Sequence, residues 1–170
     1  AGTVRRFIFK NAGCSTFTTD SNVFFVNPAV LHQKTASLED SAGNVVNFEM
    51  RTDFIPENPV RIDSSLYYVG LKDIDFSLSN TDRYNSVAAA FCEAVNLSFD
   101  NEDLDIQALK VGNSFTLTQR TAGIQGNTAI VVEWEILLGP HPDLEFVNGS
   151  DVEETTISYI PYKDDDENAI

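Results

Sequence analysis

Residues able to do chemistry are few in this chain, and their spacing decides what they can do. Histidine occurs twice, as His32 in VLHQKT and His141 in GPHPD. A nucleophile activated by histidine would have to recruit one of them from a distance, and no G-x-S-x-G elbow offers a serine. The stretch RTAGIQGNTAI, residues 120–130, carries two glycines three residues apart. A dinucleotide loop needs G-x-G-x-x-G opening a helix, and a P-loop needs a Lys after its last glycine, because backbone amides at a helix terminus must converge on phosphate. This stretch has no Lys, and the residues after it alternate like a strand. Gly123, Gly126 and Asn127 are therefore expected to supply left-handed backbone to a tight connection.

Carboxylates come in pairs such as Asp73/Asp75 and Asp103/Asp105. On a strand each pair shares one face, which reads as the wet side of a sheet. A glycosidase would need two acids opposed across a cleft, which spacing does not supply. The run Asp164, Asp165, Asp166 and Glu167 lacks the central glycine of an EF-hand loop. Cys14 and Cys92 stand in no C-x-x-C or zinc spacing, so they are expected as free thiols in the core. No catalytic, cofactor-binding or metal-ligating residue is assigned, and the expectation is a protein that is not an enzyme and needs no cofactor.

Twenty-six acidic residues against 11 basic ones give a net charge of −15 over 170 residues. Such a surface repels phosphate backbones, so no direct sequence-specific nucleic-acid binding is expected. No segment approaches the roughly 20 apolar residues of a membrane helix. The opening AGTVRRFIFKNAG holds only the short apolar piece FIF, less than the apolar region of a signal peptide. No membrane partner and no small-molecule substrate are expected.

The elements that position these residues read as mostly β. Runs such as VRRFIFKN, NVFFVNPAV and NVVNFEMRTDF are rich in Val and Phe and are punctuated by Asn, Gly and Pro. A Gly-Asn turn before Val45 predicts a hairpin, and Pro56 and Pro59 predict a sheet edge or loop. Residues 62–70 and 74–78 read as further strands. At Ser79-Asn-Thr-Asp82 the pattern changes to helix-capping residues. Val87, Phe91, Ala94 and Val95 then recur at helical spacing, predicting a helix over about 85–96 that Asn96 ends. Leu104, Ile106 and Ala108 restore the period of two, and Gly112-Asn113 predicts a type II′ hairpin into Phe115–Gln119. Residues 130–138 alternate most clearly, with Trp134 on the core side, and a last strand covers 154–160. The fold class is α+β, predominantly β, with antiparallel sandwich or barrel-like sheets and one principal helix. A single domain over 1–163 is expected, with an N-terminal arm over about 1–12 and an acidic C-terminal tail over 164–170.

Three pieces of residues 85–136 carry a family resemblance: the helix NSVAAAFCEAVN, then I-x-A-x-x-x-G-N-x-F-T-L-T, then T-A-G-x-x-G-N-T-A-I. This succession resembles a module of structural proteins of tailed bacteriophages, including tail sheath and related virion proteins. The residues that match it are Ala89, Phe91, Val95, Asn96, Ala108, Phe115, Leu117, Thr118, Ala122, Gly123, Gly126, Asn127 and Ile130, and the resemblance implies a structural role for them. It also implies a setting: the virion, after synthesis in a host cytoplasm, with copies of the chain and other virion proteins as partners. Capsid decoration or cement is the first expectation within that setting, and a tail tube or other tail subunit is the alternative.

Interface candidates come from residue type. Arg5 and Arg6 beside Phe7, the pair Phe24-Phe25 and the pair Tyr67-Tyr68 are of the aromatic and Arg kinds that anchor interfaces, although Phe pairs in a β protein also serve as core. A carbohydrate- or receptor-binding module is a further alternative, with Trp134 and the tyrosines as stacking surfaces.

Overall fold

The computed structural model of the chain describes residues 4–25, 30–53, 59–72, 74–75, 77–136 and 144–159, with 4–10 and 153–159 described by their backbone alone. In chain order the elements are β1 (Val4–Lys10), β2 (Thr16–Asp20), α1 (Ser21–Phe24), β3 (Thr35–Glu39), β4 (Val45–Arg51), β5 (Val60–Asp63), β6 (Leu66–Gly70), α2 (Asn80–Asp100), β7 (Ile106–Val111), β8 (Ser114–Gln119), β9 (Val131–Val132) and β10 (Glu153–Tyr159). The chain is α+β and predominantly β, with one principal helix. Pro56, His141 and the acidic run from Asp164 lie outside the described residues.

Helix α2 starts at Asn80, ahead of the expected start near 85 and directly after Ser79 of the capping cluster. The Ser79 hydroxyl accepts the Asp82 N–H at 3.2 Å, and Asp82 sits in the first turn, where the helix dipole favours an acid. The helix then runs past Asn96 to Asp100, longer than the expected 85–96. Its stop is a Schellman arrangement: the Asp103 N–H reaches the Ser98 carbonyl at 3.0 Å and the Glu102 N–H reaches that of Phe99 at 2.9 Å. Glu102 occupies the left-handed position at φ 61°, where glycine is the usual occupant. Asn96 has a different task. Its amide donates to the Ala108 carbonyl at 3.0 Å and accepts the Ala108 N–H at 2.8 Å, occupying the outer edge of β7.

Hydrogen bonding orders the strands into β2-β8-β7, β5-β6-β4-β3-β9 and the separate pair β1-β10. Most pairings are antiparallel, as expected, but β4 and β6 run parallel. The stretch 62–70 is two strands rather than one, because Asp63 accepts the Ser65 N–H and hydroxyl and turns the chain. Residues 74, 75, 77 and 78 belong to no strand; the Asp75 carboxylate holds Ser77 in a turn. Gly112 has positive φ and Asn113 does not, as a II′ hairpin requires. The expected long strand over 130–138 narrows to β9. Its alternation persists in burial, with Ile130 and Trp134 enclosed and Val131, Glu133 and Glu135 exposed.

Isolated bridges join the two larger sheets. Ala129 faces Glu145, and Thr16 faces Val147, so residues 144–147 connect the β9 segment to β2. Because α2 packs on β7 and β8 at one end of this series and on β4 and β6 at the other, the sheets curve around the helix. Their buried apolar residues form one contiguous cluster. Phe91 sits at its centre, with the Phe48 ring 5.6 Å away on one sheet and the Phe115 ring 6.0 Å away on the other. Such aromatic pairs contribute about 0.5–1.5 kcal/mol each beyond their buried area.

Candidate functional site

Both described ends of the chain run together. Lys10 faces Glu153, Gly13 faces Ser150 and Thr16 faces Val147, each pair three residues on from the last, so β1 and β10 continue the inner pairing without a slip in register. Strand geometry makes the expected N-terminal arm half of a two-stranded ribbon rather than a single extended segment. Beyond each other, β1 and β10 make no substantial contact with any described element.

The root of this ribbon is clamped by the glycine loop. The Gly13 carbonyl accepts the N–H of Gly123 at 3.0 Å and of Ser150 at 3.1 Å, and the Gly13 N–H returns to the Ser150 carbonyl at 2.8 Å. Asp151 accepts the Ile124 N–H at 3.0 Å, and the Asn127 side chain takes both the N–H and the carbonyl of Gly149, at 2.8 and 3.1 Å. The glycines serve two different purposes. Gly123 alone of the three turn residues has positive φ, at 134°. Gly126 leaves room for the Ser15 hydroxyl, which a Cβ there would have to displace, and Asn127 adopts an ordinary φ of −78°. The expectation of left-handed backbone at Gly126 and Asn127 is corrected accordingly.

Three interface candidates are removed from the surface. Phe24 and Phe25 are 1% and 0% exposed and form edge and stacked contacts with Phe91, Phe115 and Trp134. Tyr67 is fully buried, and its hydroxyl donates to Asp103 at 2.6 Å and accepts from the Asn101 amide at 2.9 Å. Phe24 ends the short helix α1 and Phe25 caps it, so both rings turn inward between the sheets and α2, whereas Tyr67 points inward by alternation along β6. Tyr68 is half-buried, with the Arg51 guanidinium 4.6 Å from its ring centroid. Arg5, Arg6 and Phe7 lie on β1 and so on the ribbon. Trp134 is also enclosed, its indole N–H bound to the Phe24 carbonyl at 2.7 Å, which takes it out of any stacking surface.

Several charged groups outside the ribbon are held in pairs. Arg61 donates to Asp103 at 2.7 and 3.2 Å; with the Tyr67 hydroxyl, this holds the Asp103 carboxyl below its ordinary range, while burial pushes the Tyr67 phenol up. Hydrogen bonds from Arg51 hold Asp53 down at about 2. An open groove of about 540 Å³ includes Asp40, Phe99, Asp100, Glu102, Leu104 and Asp105. Within it Asp40 accepts four donors, from Ala42, Asn44 twice and Asp105, and Asp105 accepts the Thr121 hydroxyl. Among the described residues no group of three or more His, Cys, Asp or Glu side chains could hold a metal, and no helix is long and apolar enough to cross a membrane. His32 accepts the Thr52 N–H at 3.0 Å and fixes a turn. Cys92 is buried, its thiol pushed up to about 12 by burial, and Cys14 is half-buried; both are free.

Sequence reading missed β10 as the partner of β1, along with Gly13, Gly149, Ser150 and Asp151 at the root. A usable signal was present: β1 brings three basic residues, and the strand-like run near the other end opens with two acids. Comparison with protein-family models, curated proteins and solved structures finds no match to this chain.

Proposed function

We propose that the chain is a non-enzymatic structural subunit of a tailed-phage particle that assembles with copies of itself and with other virion proteins. The observation that carries this reading is the ribbon of β1 and β10. A two-stranded ribbon is marginally stable alone in water and gains stability from a third strand or a packing partner. Here it is rooted firmly in the body and, among the described elements, has no substantial contact beyond its own two strands. That is the form of an element made to be completed by another molecule.

The family resemblance of residues 85–136 supports the same reading, since helix α2, the β7-β8 hairpin and the glycine loop are its pieces. Capsid decoration is the preferred role, for a body of this size with a ribbon that pairs chiefly with itself among the described elements suits attachment to a lattice. A tail tube is the second reading, favoured by the net charge of −15, which would suit a lumen along which DNA passes without sticking.

Light scattering on size-separated protein and negative-stain microscopy test the proposal. Rings, tubes or lattice-bound copies are expected. A strict monomer that binds neither itself nor virion proteins, or one that binds glycans with specificity, would overturn it.

A further inference from the structure

The turn at the root of the ribbon joins two residues that the fold selects for separate reasons. Asn148 sits at φ 67°, in the left-handed region that Asn tolerates better than most side chains. Gly149 is set by space, since a Cβ there would meet the Gly123 carbonyl and lie 2.7 Å from Asn127 Oδ1 and 3.0 Å from the Ser15 hydroxyl. Together they make the one Asn-Gly dipeptide in the chain. Asn148 is exposed, and its side chain makes no hydrogen bond to any described residue. Gly149 is held instead: Asn127 accepts its N–H at 2.8 Å and donates to its carbonyl at 3.1 Å.

We propose that Asn148 is a site of spontaneous deamidation, that Asn127 restrains the reaction, and that conversion loosens the root of the ribbon. The Gly149 nitrogen gives up its proton to solvent base and attacks Cγ of Asn148. The Cγ–Nδ2 bond breaks, and the side-chain nitrogen takes a proton from solvent and leaves as ammonia. A five-membered imide remains, which water opens. Cleavage between Cγ and the ring nitrogen leaves an aspartate; cleavage between the main-chain carbonyl carbon and that nitrogen leaves an isoaspartate, whose backbone runs through the side chain. Water enters and ammonia leaves, with no oxidant or reductant. Glycine leaves the attacking nitrogen uncrowded. Asn127 opposes the step because the nitrogen must lose the hydrogen that Asn127 Oδ1 accepts, so reaction proceeds from a locally opened turn. Either product adds a carboxylate to a segment that already carries Asp151. Isoaspartate also lengthens the backbone between the Thr16–Val147 and Gly13–Ser150 bridges, so the clamp on Gly13 and Gly123 loses its register. None of this depends on what the chain assembles with.

Peptide mapping by mass spectrometry tests it, on native and urea-unfolded chain held in mildly alkaline buffer at physiological temperature. The native peptide containing Asn148 is expected to gain one mass unit and to separate into aspartate and isoaspartate forms. Its rate should rise with pH and stay about tenfold or more below that of the unfolded chain. Asn127→Ala, shown to be folded by circular dichroism and urea unfolding, should convert about tenfold faster than the native chain. Asn148→Gly, which suits the left-handed φ, should abolish conversion. Converted protein, separated by ion exchange on its added charge, should exchange the amide hydrogens of Gly13, Gly123 and Ser150 faster than unconverted protein. An intact Asn148 in folded protein, while the unfolded chain converts, would overturn the site. A folded rate equal to the unfolded one, or unmoved by Asn127→Ala, would overturn the restraint, and unchanged exchange would overturn the loosening.

Discussion

Asn96, about one turn before the end of α2, hydrogen-bonds both backbone groups of Ala108 on β7, donating at 3.0 Å and accepting at 2.8 Å. The side-chain amide thus acts as one residue of an extra strand, which joins the helix to the sheet and closes an edge beside the exposed Leu109 and Val111. Replacing Asn96 with Ala leaves both groups without this partner. A loss of about 1–3 kcal/mol is expected, read as a lower urea midpoint at unchanged slope, with greater aggregation from the opened edge. An unchanged midpoint would contradict the role given to Asn96.

Gly149 and Gly126 should respond unequally to alanine. A Cβ on Gly149 would meet the Gly123 carbonyl, which is backbone and held by the loop. A Cβ on Gly126 would meet the Ser15 hydroxyl, a side chain that can turn. Gly149→Ala is expected to cost about 1–3 kcal/mol and Gly126→Ala less. The opposite order, measured by thermal unfolding, would show that the clamp is built differently.

Glu102 offers a stabilising change. Its left-handed φ of 61° strains a residue with a Cβ, and glycine adopts it freely. Glu102→Gly should raise stability by about 0.5–1 kcal/mol, seen as a higher melting temperature; a fall would mean that the Glu side chain itself contributes there.

The contact of Asp103 with Arg61 and Tyr67 makes stability depend on pH at both extremes. A carboxyl held low in the folded state adds stability above its unfolded value of about 3.9, and loses it as pH falls through the lower folded value. Tyr67, held high, adds stability below about pH 10 and loses it as pH rises through its folded value. Asp103→Asn should flatten the acid limb of urea midpoints measured between about pH 7 and about pH 3. An acid limb as steep as the native one would place the sensitivity elsewhere.

The two cysteines should separate in a thiol-labelling time course of native protein. Cys14, half-buried, reacts first, while Cys92 waits for unfolding because burial disfavours its thiolate. Equal rates would mean that the core around Cys92 opens readily.

Much of the fold was legible because its signals are local. Ser79 and Asp82 mark a helix start through groups three residues apart, and Gly112 marks a hairpin through its own φ. The helix end misleads because Asn96 is a familiar stop, whereas its amide is engaged by a strand twelve residues away. Phe24-Phe25 resembles an exposed pair until two sheets and a helix close over it. The strand around Trp134 keeps its alternation yet pairs for only two residues, since pairing requires a neighbour and alternation does not.

By itself, then, the sequence determined the β-rich class, the capping cluster before the helix, the hairpin turns and the inward side of Trp134. Each depends on propensity or periodicity within a few residues. Tertiary structure alone decided that Val4 faces Tyr159, that Asn127 grips Gly149 and that Tyr67 is buried against Asp103. These contacts join residues that are distant along the chain, and such pairings form only when the whole core excludes water at once.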